Sequence, residues 1–150
     1  MTVWFKGTGE IGSSIKHVKE SFENLGEFLV GVVSRMPGLT GVELIEQGTD
    51  FVILQTNEGI MKRTSIETRI EQDRVVVESD EEYQAGAKVT TRAHFLDEFA
   101  ASETGVAHRL VISDVQASGL LGFFYRRFGS SKMGNAFLNA TKAFFEEHSL

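Results

Sequence analysis

Two hydrophobic periods divide the chain. Across residues 118–150, large residues recur at helical spacing: Leu120, Leu121, Phe124 and Phe128, then Met133, Phe137, Ala140, Thr141, Phe144 and Phe145. Spacings of three and four place such residues on one side of a helix, so one long C-terminal amphipathic helix is expected here. A second helical stretch follows Gly12-Ser13-Ser14, where a serine can cap the first free amides. Val18, Phe22, Leu25, Phe28, Leu29, Val32 and Val33 keep the helical spacing there. The stretch fits one helix to about residue 35 or two broken near Gly26, and Pro37-Gly38 ends it.

Elsewhere the period is two, which marks strands. Residues 2–11 form a first strand, weakened by Gly7 and Gly9. After the helical stretch, strands are expected at 42–46, 51–56, 60–72, 74–78, 88–99 and 106–115. Residues 80–86 read as polar and looser. In the long run 60–72, Ile60, Lys62, Thr64, Ile66, Thr68 and Ile70 share one face, and Met61, Arg63, Ser65, Glu67 and Arg69 share the other. Short turns between these strands make them sequential antiparallel neighbours, a six-strand meander. A long helix after a meander lays its apolar face on the sheet. If the sheet is curved, a pocket between the two is expected.

At 150 residues the chain is read as one domain, residues 1–150, large enough for a substantial core. Its net charge of −6 argues against a protein built to neutralise nucleic-acid phosphates. No cysteine is present, so neither disulfides nor thiol chemistry arise, and this fits a cytoplasmic location. No apolar run nears the ~20 residues that span a bilayer, so no integral membrane segment is expected. The first residues lack the basic-then-apolar layout of a signal peptide. Twelve phenylalanines against one tryptophan and two tyrosines bring bulk without hydrogen-bonding demands, which suits a dry core or a greasy cavity.

The element order of strand, helical pair, six-strand meander and long C-terminal helix resembles the helix-grip fold of the START-like (SRPBCC) superfamily. The stretch from Ser118-Gly119-Leu120-Leu121-Gly122 to Lys142-Ala143-Phe144-Phe145-Glu146-Glu147 is similar to the C-terminal helix of bacterial cyclase/dehydrase-like members. The resemblance implies an α+β fold whose curved antiparallel sheet wraps the long helix. It also implies a cavity for a hydrophobic or amphipathic small molecule, such as a lipid, polyketide or aromatic compound. Members range from carriers to polyketide cyclases, so the fold leaves the chemistry open.

Alternation suggests that such a cavity would be walled by Phe124, Phe128, Phe137 and Thr141 from the helix. Thr64 and Ile66 would face them from the sheet, and Phe28 and Val32 would close one end. His94 and His108 lie on the last two strands and are expected to be cross-strand neighbours. They read either as an acid/base or ligand-polarising pair, or as surface residues beside Arg92 and Arg109. With Arg109 they are the candidate polar anchors. Arg63, Glu67 and Arg69 read as a solvated charge ladder. Tyr125-Arg126-Arg127 and Lys132 read as a basic lip at the cavity mouth or as ordinary helix charge. The exposed tip Phe123-Phe124-Tyr125 beside those arginines motivates a third possibility, an interaction module with a filled core.

Gly7-Thr8-Gly9-Glu10-Ile11-Gly12 matches the dinucleotide-binding spacing, but a β-meander follows instead of a βαβ unit. No histidine pair stands at metal-binding spacing, so no metal is expected, and no cofactor motif is found. A nucleophile elbow and a phosphate loop are both absent from the sequence.

Overall fold

The computed structural model describes residues 1–86, 89–118 and 129–147. In chain order they form β1 (Val3–Ile11), α1 (Ile15–Ser21), α2 (Leu25–Val33), β2 (Glu43–Gln47), β3 (Val52–Gln55), β4 (Gly59–Ile70), β5 (Arg74–Ala85), β6 (Val89–Ser102), β7 (Gly105–Ala117) and α3 (Ser130–Glu147). The strands make one antiparallel sheet in the order β1-β7-β6-β5-β4-β3-β2. The six later strands are the expected meander, and β1 returns to pair with the last of them.

The helical stretch divides into two because each half has its own cap. The Ser14 side chain accepts from the His17 amide at 3.1 Å, and the Asn24 side chain accepts from the Glu27 amide at 3.1 Å. The break therefore falls just before Leu25, and Gly26 lies inside α2. At the other end the helix is shorter than its periodicity suggested. Ser118 and Gly129 are not helical and α3 begins at Ser130. The expected residues Leu120, Leu121, Phe124 and Phe128 lie outside the described residues. The polar stretch 80–86 is also corrected: most of it is the second half of β5. Glu82 there stands between Lys62 of β4 and Arg92 of β6, whose Nε lies 3.5 Å from it, so charge pairing across strands does what apolar alternation does elsewhere.

Bulges bend this sheet. Thr64, Asp80, His94 and Ser113 pair in one row across β4, β5, β6 and β7, and Val3 of β1 ends it. The register slips beside this row in β4–β5, β6–β7 and β1–β7. Ser65 and Asp114 take left-handed backbone there, with φ of 51° and 54°. Aligned bulges sharpen the local twist, and the sheet curves around α3 along that crease.

The concave face buries Leu54, Met61, Val75, Phe95, Phe99, Leu110 and Ile112 against Phe137, Leu138, Phe144 and Phe145 of α3 and against Val18, Phe22, Leu29 and Val33 of the helical pair. Gly134 lets α3 settle on the Phe5 ring, since a Cβ there would stand 2.3 Å from ring carbons. Near the end of the helix, the Gly12 amide donates to Glu146 Oε2 at 2.7 Å, and Lys142 Nζ donates to the Glu10 carbonyl at 3.0 Å. Lys142, then the Gly12 amide, hold the Glu146 carboxyl below its ordinary range.

Candidate functional site

β4 carries a charged residue into the interior. Ahead of the crease its inward positions are Met61 and Arg63, and Arg63 is 6% exposed. A buried guanidinium needs a counter-charge and filled hydrogen bonds. Arg63 Nε and Nη2 both lie 3.2 Å from Glu81 Oε1, directly across on β5. Its Nη1 donates to Ser79 Oγ at 3.4 Å. The plane lies over the Phe95 ring at 4.0 Å, with Phe137 at 5.7 Å, so cation–π contact covers the face that hydrogen bonds cannot.

A second polar pair lies further along the same face. His108 is 1% exposed, and its Nε2 stands 2.7 Å from Asp97 Oδ1. Its ring stacks on Phe99 at 4.4 Å with planes 13° apart. Its Nδ1 is buried without a hydrogen-bond partner among the described residues.

Two interior pockets adjoin these pairs, and Glu81 also reaches the wall of an open groove of about 500 Å³ that Thr64, Asp80, Arg92 and His94 line on the outer face. A small one of about 20 Å³ lies against α1 and α2 and takes Phe22, Phe28, Ile66, Arg63, Ser79 and Asp97 as walls. A larger one of about 90 Å³ lies under the first turns of α3, between Met36, Met61, Met133 and Phe137 on its apolar side and Glu81 and Tyr83 on its polar side. The Arg63–Glu81 pair separates them, with the cation toward one and the carboxylate toward the other. The Tyr83 hydroxyl sits 3.2 Å from Thr56 Oγ1 and 3.4 Å from Glu58 Oε1. Burial first, and then the Glu58 carboxylate, push its pKa up despite the opposing Thr56 bond.

The expected wall residues divide. Phe28 and Ile66 line the smaller pocket and Phe137 lines the larger. Val32 is packed in the core. Thr141 is buried, but its hydroxyl donates to the Phe137 carbonyl of its own helix at 2.8 Å, which occupies its proton. Thr64 is corrected: it lies exposed on the outer face, because the alternation inverts at the crease, where Ser65 and Ile66 together oppose the single Ser79. Phe124, Phe128 and the basic lip of Tyr125, Arg126 and Arg127 lie outside the described residues. Lys132 is exposed on α3.

The histidine pair is corrected as well. The β6–β7 hairpin closes Ser102 on Gly105, which sets His108 opposite Phe99 and His94 opposite Ser113. His108 faces inward, His94 outward, and Arg109 is exposed on the outer face. Arg63 is corrected from an outer charge ladder to the centre of the interior. With Glu81 and Asp97 it belongs to the site that alternation alone did not find. The available signal was its place in step with Met61, the one large apolar residue on that face.

On the outer face, His94 Nδ1 lies 2.9 Å from Asp80 Oδ1 and its Nε2 lies 3.2 Å from Glu78 Oε2. Only the imidazolium can donate to both carboxylates. The Asp80 bond, aided by Glu78 and opposed by burial, raises the pKa above its ordinary 6.5. The bound proton therefore stabilises the fold fully below the unfolded value, and this contribution is lost as pH rises through the raised folded one. Replacing His94 by Gln should flatten the fall in denaturation midpoint between about pH 6 and pH 8, measured by urea titration at both pH values. An unchanged slope would remove His94 from that linkage.

Among the described residues no group of side chains is arranged to hold a metal ion, and no helix is long and apolar enough to cross a membrane. The glycines of the dinucleotide-like motif lie in β1 and just beyond it, in an antiparallel sheet.

The sequence matches no family model and no curated protein. Solved structures do resemble it. A conserved protein from Geobacillus kaustophilus superposes with a TM-score of 0.63 at 11% identity, over 95% of this chain and 92% of that one. A STAR-related lipid transfer protein from Xanthomonas axonopodis superposes at 0.58 and 11% identity, over 93% and 84%. The di-domain ARO/CYC StfQ of the steffimycin biosynthetic pathway superposes at 0.52 and 15% identity, over 98% of this chain and 52% of that one. Likeness at such low identity speaks for architecture alone: this chain has the α+β helix-grip architecture of these structures.

Proposed function

We propose that the protein binds a small hydrophobic or amphipathic molecule between α3 and the concave face of the sheet. The observation that carries this reading is the larger interior pocket, apolar on one side with a few convergent polar groups on the other. Its 90 Å³ far exceeds the 10–15 Å³ or so that one water needs and falls short of the roughly 300–1,000 Å³ of a drug-sized site. That favours a ring or the end of a longer chain. The likeness to a lipid transfer protein and to an ARO/CYC protein supports the same class of ligand: a lipid, polyketide or aromatic compound.

Organic extraction of natively purified protein, followed by mass spectrometry, should yield one such compound in stoichiometric amount. Met61→Trp, which fills the pocket, should empty the extract. Equal recovery from that variant would place the ligand elsewhere.

A second reading, a cyclase- or dehydrase-type reaction in the same interior, draws on the Asp97–His108 pair. Asp97 lies on the wall of the smaller pocket and orients an imidazole suited to proton transfer. With the extracted compound or its precursor as substrate, His108→Gln should abolish turnover while leaving binding intact. Turnover that survives this change would discard the second reading.

A further inference from the structure

The pocket beneath α3 is one-sided in charge. Among the described residues its walls include two carboxylates, Glu58 and Glu81, and no cation. Its other polar walls are Tyr83 and Thr91. Arg63, the cation paired with Glu81, is already committed elsewhere. Nε and Nη2 meet Glu81, Nη1 meets Ser79, and the flat face rests on Phe95. Turning that guanidinium to a ligand would strand the Glu81 carboxylate, whose side chain is 11% exposed.

The unspent hydrogen-bonding capacity has the opposite character. The two Arg63 contacts with Glu81 both end on Oε1, and no donor among the described residues meets Oε2. The single proton of the Tyr83 hydroxyl is claimed by Thr56 or Glu58, which leaves its oxygen as an acceptor. The wall therefore offers acceptors and negative charge.

We propose that this pocket selects a non-anionic ligand whose polar end donates hydrogen bonds, a hydroxyl or an amine, over the same molecule ending in a carboxylate. The proposal rests on the binding reading above and adds the chemistry of the ligand's head. Specificity here comes from the acceptors that remain unpaired, and from a repulsive element, the Glu58 carboxylate at the rim, which no ion pair among the described residues offsets. The Met-rich side imposes little shape of its own, since methionine adapts to irregular surfaces.

The test uses three probes with one hydrocarbon tail: 1-octanol, octylamine and octanoate, titrated into the full chain at pH 7. The amide signals of Tyr83, Thr91 and Met133 report occupancy. Octanol and octylamine should shift these signals, and octanoate should bind at least about tenfold more weakly. Glu81→Gln should remove that discrimination. Because that change also breaks an interior ion pair, Glu58→Gln, at an exposed position on the pocket rim, serves as the second variant and should narrow the gap without threatening the fold. Octanoate binding as tightly as its partners would overturn the selectivity while leaving the binding reading in place. Failure of all three probes to move those signals would overturn the binding reading itself.

Discussion

Arg63→Ala is expected to lower the melting temperature by roughly 6–20 °C. Removing one partner of a buried ion pair costs about 3–5 kcal/mol, because the remaining charge is held away from water. Each kcal/mol moves the midpoint of a domain this size by roughly 2–4 °C. The charge left behind is Glu81, and the Phe95 ring also loses the plane that covers it. The double replacement Arg63→Met with Glu81→Leu should recover most of the loss, since it removes both charges and keeps volume on the concave face. Calorimetry on the two variants separates the penalty of an orphaned charge from the worth of the pair. If the single variant melts within about 3 °C of the parent, the interior tolerates a lone carboxylate and the pair is not what steadies it.

Phe145→Ala should cost a similar amount by a different route. The ring is 0% exposed and, among the described residues, lies within 6 Å of four others: Phe144 at 5.2 Å, Phe28 and Phe99 at 5.7 Å each, and His17 at 5.8 Å. It thereby joins α3, α1, α2 and β6. Truncating a buried phenylalanine costs about 3–5 kcal/mol through lost transfer energy and the void that remains. The void would be walled by aromatic carbon, and such a space stays dry and accepts small apolar solutes. Adding benzene should therefore restore part of the lost melting temperature in Phe145→Ala and leave the parent unchanged. No rescue, with the full loss still present, would mean that the four rings collapse inward.

Much of the architecture could be read from periodicity. The strand boundaries at Val3–Ile11, Val52–Gln55 and Gly59–Ile70 follow the alternation, because one face of each is covered and the other is wet. The site was less legible, for one local reason. Counting back along the β4–β5 hairpin from Ile70 opposite Val75 would pair Arg63 with Glu82, on the outside. The bulge at Ser65 shifts the register by one, so Arg63 meets Glu81 instead and Ile66 turns inward where Thr64 does not. A serine in left-handed backbone carries no compositional mark of the kind glycine gives. The isoleucines misled for the same reason: Ile60 shares the alternation of Ile66 but lies exposed on the far side of the slip. His108 stood out in the sequence as a candidate polar anchor, while its depth depended on hairpin register.

The place of β1 at the edge, paired only with β7, bears on how the molecule is made. Its nine residues leave the ribosome about a hundred positions ahead of their partners, residues 106–113. Until then the first strand has nothing to pair with, although each meander strand finds its neighbour within a short turn. The docking of α3, which rests largely on β1 through Phe5 and Gly134, must wait for the same event. Pairing of β1 with β7 is thus a long-range contact, of the kind that slows folding, and until it forms the edge of β7 stands open to other chains.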